Sequence, residues 1–265
     1  MSRLDAPEVP VTHSPHPQTT GRDAADTPEE TSVTDLRQRA RALAASGQRA
    51  ILGIVGAPGS GKSTLAARLV AELGPRTAVV VPMDGFHLAN SELDRLGRRE
   101  RKGAPDTFDV AGYTALLQRL RDPAEDGVYA PEFRREIEEA VAGAIPVPAD
   151  VPLIITEGNY LLLDEGDWAS VRTFLDQVWF LATDHETRLQ RLIERHVAYG
   201  KSPTQARAWS LGSDQDNADL VSATMHRADL VLSPPPLGHV PHSDQDTSVR
   251  PEAEMPGEAA PATKK

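Results

Sequence analysis

The sequence predicts an α/β fold in which a parallel five-stranded sheet carries helices on both faces. Three observations lead there. Five short apolar runs, "AILGIVG", "TAVVVPMD", "PLIITEG", "QVWFLAT" and "ADLVL", are continuous rather than alternating, as strands buried on both faces are. Segments of helical periodicity separate them. A glycine-rich turn joins the first run to the helix that follows it, a junction typical of nucleotide-binding α/β folds.

Taken in order, Val33, Leu36, Ala40 and Leu43 recur at helical spacing, giving an opening helix that stops near Gly47. The first strand is Ala50–Gly56. Leu65, Leu69 and Leu73, with Ala66 and Val70, mark a helix ended by Gly74-Pro75. The run "TAVVVPMD" reads as a second buried strand that delivers Asp84 to its last position, with Gly85 breaking it. "VAGYTALLQRLRD" is helical. The two ends of "GVYAPEFRREIEEAVAGAIPV" read as short strands of a hairpin appended near the site. The third and fourth strands are separated from the fifth, Ala228–Leu232, by the helix "DHETRLQRLIERHVAYG" and another over roughly Asp214 to Met225. Residues 1–30 and 233–265 are rich in Pro, Thr, Asp and Glu without a hydrophobic period and read as disordered tails. One folded unit, 31–232, is expected between them.

Bulk composition narrows the function. The net charge of −11 argues against a general nucleic-acid binder, whose affinity rests on Lys and Arg neutralising phosphates. The absence of cysteine excludes disulfides, Cys-ligated zinc and thiol catalysis. The N-terminus has no apolar core of the kind a signal peptide needs, and no apolar run reaches the ~18 residues of a membrane span. A cytoplasmic protein without nucleic-acid or membrane partners is expected.

The segment Gly56-Ala57-Pro58-Gly59-Ser60-Gly61-Lys62-Ser63 matches G-x-x-x-x-G-K-[ST] at every fixed position, and it lies between a strand and a helix as that motif requires. Its glycines let backbone N–H groups turn toward phosphates, and the helix N-terminus adds positive potential. Lys62 is placed to reach the β- and γ-phosphates, Ser63 to ligate Mg²⁺, and Thr64 to assist at the α-phosphate. The cofactors expected are ATP and Mg²⁺, on a P-loop NTPase fold.

Two acids follow apolar runs and precede a glycine. Ligands of open parallel sheets bind beyond the carboxyl ends of the strands, so Asp84 is placed to accept the proton of an attacking hydroxyl or to hold Mg²⁺ through water. Gly85 is read as opening space for an acceptor. Glu157, in "LIITEGNY", repeats the arrangement and is read as an acid of the Mg²⁺ shell; an unpaired buried carboxylate without a role is costly.

The series "GAPGSGKS", "MDGFH", "RKGAPDTFD", "YAPEFRREIEEA" and "IITEGNYLLL", followed by an arginine-bearing helix, resembles the phosphoribulokinase/uridine kinase/pantothenate kinase group of P-loop kinases. Within that group it is similar to members described only as nucleoside/nucleotide kinase family proteins, some described as fructose kinases. The resemblance implies a lid helix and Asp84 as the base that activates an acceptor hydroxyl. It also implies Glu157 in the metal and phosphate site and Arg195 as the lid arginine that covers the transferring phosphate. Arg188 and Arg191 share that helix face with Arg195. His87, Lys102, Phe133 and Arg135 are the expected acceptor-binding residues. Members of the group commonly carry an aromatic, a polar residue and then His after the proline matching Pro131; this chain has Phe133-Arg134-Arg135. The implied partner is a small-molecule hydroxyl acceptor (nucleoside, pantothenate or sugar), with a homodimer left open. A P-loop ATPase and a non-catalytic nucleotide-binding regulator are the alternatives.

Overall fold

A computed structural model describes residues 31–122 and 125–233; the predicted tails lie outside them, apart from Ser233. The chain runs α1 (Val33–Ala44), β1 (Ala50–Val55), α2 (Lys62–Leu73), β2 (Ala78–Pro82), α3 (Asn90–Arg95), α4 (Val110–Arg121), β3 (Gly127–Arg134), β4 (Glu139–Pro148), β5 (Leu153–Gly158), β6 (Gln177–Leu181), α5 (His185–Ala198), α6 (Pro203–Leu211), α7 (Ser213–Ser222) and β7 (Leu230–Leu232). Five strands form one sheet in the order β2-β5-β1-β6-β7, and every pairing in it is parallel. The predicted hairpin is a separate antiparallel pair, β3-β4.

The strands are apolar throughout because both faces are covered. Along β1, Ala50, Leu52 and Ile54 enter a core shared with Leu36 of α1 and Leu65 and Leu69 of α2. Ile51 and Val55 point the other way, into a core with Tyr113 and Leu117 of α4, Val128 and Val147 of the hairpin, and Trp168. Alternation of faces with continuous burial is what a central parallel strand requires.

Four of the described helices start with a side-chain cap, and α2, α3 and α7 do not. α1, α4, α5 and α6 each begin with a side chain that accepts a first-turn N–H, from Ser32, Asp109, Asp184 and Ser202 respectively. α2 has no such cap; it starts after Gly61, held in the left-handed region at φ 97°. Its first-turn amides are therefore unclaimed by a side chain.

Two expectations are corrected, and one helix is added. The second strand stops at Pro82, and Met83–Phe86 form a 3₁₀ turn, so Asp84 stands just past the strand rather than at its end. Proline ends the ladder because it has no N–H to donate, a residue tolerated here because β2 is an edge strand. The helix predicted over Asp214–Met225 is α7, ending at Ser222, with Met225–Arg227 a separate 3₁₀ turn. The segment before it is a further helix, α6, opened by a Ser202/Gln205 capping box with Pro203 in its first turn.

One arginine locks the base of the sheet. Arg49, just before β1, donates to the carbonyls of Val151 (2.9 Å), Leu120 (3.2 Å), Pro148 and Ala149 (both 2.6 Å). It ties α4 and the end of β4 to the central strands. Replacing it by Ala is expected to cost about 2 kcal/mol, since bonds to a charged donor are worth ~1.5–3 kcal/mol net. The thermal midpoint should fall by about 4–8 °C, while nucleotide binding stays unchanged. A melt within 1 °C of the parent, on the order of experimental scatter, would refute the clamp. Among the described residues, no helix is long and apolar enough to cross a membrane.

Candidate active site

The register of the sheet brings the motifs together. Glu157 on β5 lies opposite Ile54 on β1 and Pro82 on β2, and Gly158 lies opposite Val55. The loop after β1, the turn after β2 and the end of β5 thus meet at one end of the sheet. There they line a cleft of about 260 Å³ containing Lys62, Ser63, Asp84 and Glu157.

The loop from Gly56 to Ser63 is built for close approach. A Cβ at Gly59 (φ 82°) would lie 2.7 Å from the Arg188 carbonyl oxygen and 2.9 Å from Leu192, so α5 packs directly on the loop. A Cβ at Gly56 would meet the Ser60 hydroxyl at 2.6 Å. Ser60 itself is buried, and its hydroxyl has no hydrogen-bond partner among the described residues. The Lys62 ammonium is buried and donates back to the carbonyls of Gly56 (2.9 Å) and Ala57 (3.2 Å). Burial lowers its pKa to about 8; Glu157 and Asp84 oppose the shift, while Arg195 and Arg135 add to it. A buried cation, an unpartnered hydroxyl and an uncapped helix start fit a phosphate chain. Pro58, Gly59, Lys62 and Ser63 line the cleft itself, whereas Gly56, Ala57, Ser60, Gly61 and Thr64 do not.

Ser63 donates to Glu157 Oε1 at 2.9 Å, which puts both expected Mg²⁺ residues side by side. Burial and the nearby Asp84 push the Glu157 carboxyl above its ordinary value, against the pull of Lys62 and Ser63. Burial acts the same way on Asp84, but His87, Arg135, Lys62 and Arg195 together outweigh it and hold that carboxyl below its ordinary value. Two carboxylates near one cleft therefore diverge: Asp84 is the more readily ionised. Behind them Thr156 donates to the Val81 carbonyl (2.7 Å) and meets the Tyr113 hydroxyl (2.6 Å), bracing β2 on β5.

Gly85 does the opposite of what the sequence implies. A Cβ there would stand 2.3 Å from the Pro131 carbonyl oxygen and 2.7 Å from its carbon. The glycine lets β3 press against the turn that holds Asp84, bringing a wall in rather than opening a space. That wall carries Phe133 and Arg135. The Arg135 guanidinium lies 3.5 Å from Asp84 Oδ2 and 5.9 Å from the Phe133 ring centre. The Lys102 ammonium lies 5.0 Å from the same ring. The imidazole of His87 packs at a tilt between Phe108 (4.1 Å) and Phe133 (4.7 Å), and its Nδ1–H donates to the Asp84 carbonyl at 2.7 Å. All four expected acceptor residues, His87, Lys102, Phe133 and Arg135, line the cleft with Asp84.

The three arginines of α5 take three different places. Arg188 is 3% exposed; it donates to the Pro58 carbonyl (3.3 Å) and to Gln215, tying loop to α7. Arg191 reaches the Ser60 carbonyl at 3.4 Å. Arg195 alone of the three lines the cleft. Of the basic cluster before α4, Arg98 and Arg101 are absorbed by Asp106, while Arg99 and Lys102 line the cleft. Sequence reasoning missed Asn159, His196, Trp209 and Asp214, all of which line it too. His196 donates to Asp214 at 2.8 Å across α5 and α7. Only Asn159, inside "EGNY", had a local signal.

Residues 51–240 match the sequence profile of the Phosphoribulokinase / Uridine kinase family. A Schizosaccharomyces pombe protein named "Putative uridine kinase C227.14" is 33% identical over 217 residues, covering 78% of this chain and 92% of that protein. A pantothenate kinase of Latilactobacillus sakei subsp. sakei is 26% identical over 211 residues, covering 69% of this chain and 67% of its own length. The crystal structure of a "putative fructose transport system kinase" from Silicibacter sp. TM1040 is 36% identical with a TM-score of 0.69, covering 76% of this chain and 98% of that one. The profile takes in every strand of the five-stranded sheet except the first residue of β1, together with the phosphate loop and both acids. The chain is a member of the phosphoribulokinase/uridine kinase family of P-loop kinases.

Proposed function

We propose that the protein transfers the γ-phosphoryl group of ATP to a hydroxyl of a small metabolite, with Asp84 as general base. The observation that supports this most is the meeting of Asp84, held ionised among cations, with Lys62 and Glu157 at one end of the sheet. Loop amides, the α2 N-terminus and Lys62 bind the phosphates. The acceptor O–H gives its proton to an Asp84 oxygen as its oxygen attacks phosphorus in line. The bond from phosphorus to the bridging oxygen breaks, and ADP leaves with those electrons. Arg195 stabilises charge on the equatorial oxygens.

Ser63 and Glu157 are the residues that would hold Mg²⁺, which when bound neutralises charge on the β- and γ-phosphate oxygens. Among the described residues no three His, Cys, Asp or Glu side chains cluster as a metal cage, so water and nucleotide oxygens would supply the rest of its shell.

The test is ADP release by purified protein with Mg-ATP across hydroxylated metabolites, including sugars, pantothenate, uridine and cytidine. Release that depends on an added acceptor, with a phosphorylated product, supports the reading. Release that proceeds at the same rate without acceptor marks an ATPase and removes Asp84 from its assigned role.

A further inference from the structure

We infer that the acceptor carries an anionic group, carboxylate or phosphate, close to the hydroxyl that is phosphorylated, and that Arg135 with Lys102 reads it. This deepens the kinase reading and rests on it.

The argument begins with what Arg135 lacks. A guanidinium has five N–H donors in a planar fork suited to bidentate anions. Among the described residues its one hydrogen bond is the 3.5 Å contact to Asp84, at the long limit of such bonds, and its side chain is 34% exposed to the cleft. When a substrate hydroxyl takes its place at Asp84, that carboxylate is shared and then protonated. Arg135 then loses its nearest counter-charge as the reaction proceeds. A neutral polyol offers no replacement; an anion does.

Lys102 repeats the pattern. Its ammonium is held by two neutral oxygens, Asn90 Oδ1 at 2.6 Å and the Glu138 carbonyl. Burial holds its pKa below the ordinary value, against longer-range attraction from Glu139 and Glu138. Both cations lie over Phe133, whose ring fixes them by cation–π contact and limits their loss of freedom on binding. Arg99 also lines this side of the cleft, where Asp94 pairs with it at 4.0 Å. The geometry also sets a bound. With hydrogen bonds of ordinary length at each end, the 3.5 Å separation of Asp84 and Arg135 keeps the reacting hydroxyl and the anion within about 9 Å. A hydroxy acid, a sugar acid or a sugar phosphate satisfies that bound.

The experiment compares acceptors matched except for charge: glycerate with glycerol, gluconate with glucose, pantothenate with pantothenol, and fructose 6-phosphate with fructose. Transfer is read by ³¹P NMR of the product. Binding is read separately by calorimetry on protein loaded with a non-hydrolysable ATP analogue. The expected result is use of an anionic member over its neutral partner, with the carboxylate and phosphate arms naming the source of charge. Arg135→Gln should raise KM for that acceptor about 30- to 100-fold with a smaller change in kcat, and Arg135→Lys should recover part of it.

Equal use of the neutral partner overturns the inference while leaving the kinase intact. So does an equal loss of affinity for the ATP analogue in Arg135→Gln, which would put the arginine on the nucleotide. Failure of every anionic member to bind overturns it as well. Anion binding that needs Arg135 without any transfer supports the anion site and instead refutes the kinase reading.

Discussion

Asp84→Asn is expected to lower acceptor-dependent kcat about 10³-fold, within the ~10²–10⁴-fold range for loss of a positioned general base. Asparagine keeps the shape and cannot accept the proton. The same change removes a negative charge from the neighbourhood of Lys62 and Glu157, whose protonation it biases. Affinity for Mg-ATP should therefore hold or tighten, because repulsion between Asp84 and the phosphates is relieved. Rapid-mix kinetics with a nucleotide-binding titration on the same preparation separates the two effects. Turnover within a factor of about three of the parent, less than 1 kcal/mol of barrier, would assign proton removal to another group.

The second large effect is expected at a residue with no side chain. Gly85→Ala puts a methyl group 2.3 Å from the Pro131 carbonyl oxygen, a distance that must open by about an ångström. The methyl faces backbone, so no flexible side chain can move aside. Either β3 shifts outward or the turn carrying Asp84 shifts inward. Both separate Phe133 and Arg135 from Asp84, which they face, and a displacement of ~1 Å in a reacting constellation costs ~10²-fold in rate. Overpacking of this kind also costs about 1–3 kcal/mol of stability. Mg-ATP affinity should survive, since the phosphate loop hangs from β1 and α2. The signature is thus a poor enzyme that binds nucleotide normally. Parent-like kinetics and stability in Gly85→Ala would mean that β3 does not press on this turn.

What the sequence made legible follows from how local each signal is. β1, β5 and β6 are visible as apolar runs because both faces of each strand are buried, and the phosphate loop is visible because its eight residues are contiguous. The overrun of β2 through Asp84 came from reading Met83 as one more apolar strand residue. It is fully buried, but in a 3₁₀ turn rather than the ladder. The capping box at Ser202 and Gln205 was in plain view as "SPTQ", yet the segment after it is polar and weakly periodic, so α6 went unread.

His196, Trp209 and Asp214 stayed hidden for a different reason. They reach the cleft only because α5, α6 and α7 pack on one another, and no spacing within one helix encodes that. The arginines of α5 show the limit from the other side. A shared helical face did not give Arg188, Arg191 and Arg195 a shared task, because Arg188 is consumed by the carbonyl of Pro58.

The hairpin is a separate two-stranded sheet, seated at the turn after β2 by the vacancy at Gly85. Backbone contact at that point constrains few of the side chains that the hairpin turns toward the cleft, whereas Val128, Ala130 and Val147 are tied to the core. The phosphate loop and the cleft-facing strip of the hairpin are therefore largely separable units of inheritance. A lineage can rewrite the exposed positions of β3 and β4 while the phosphate loop, Asp84 and Glu157 keep their places.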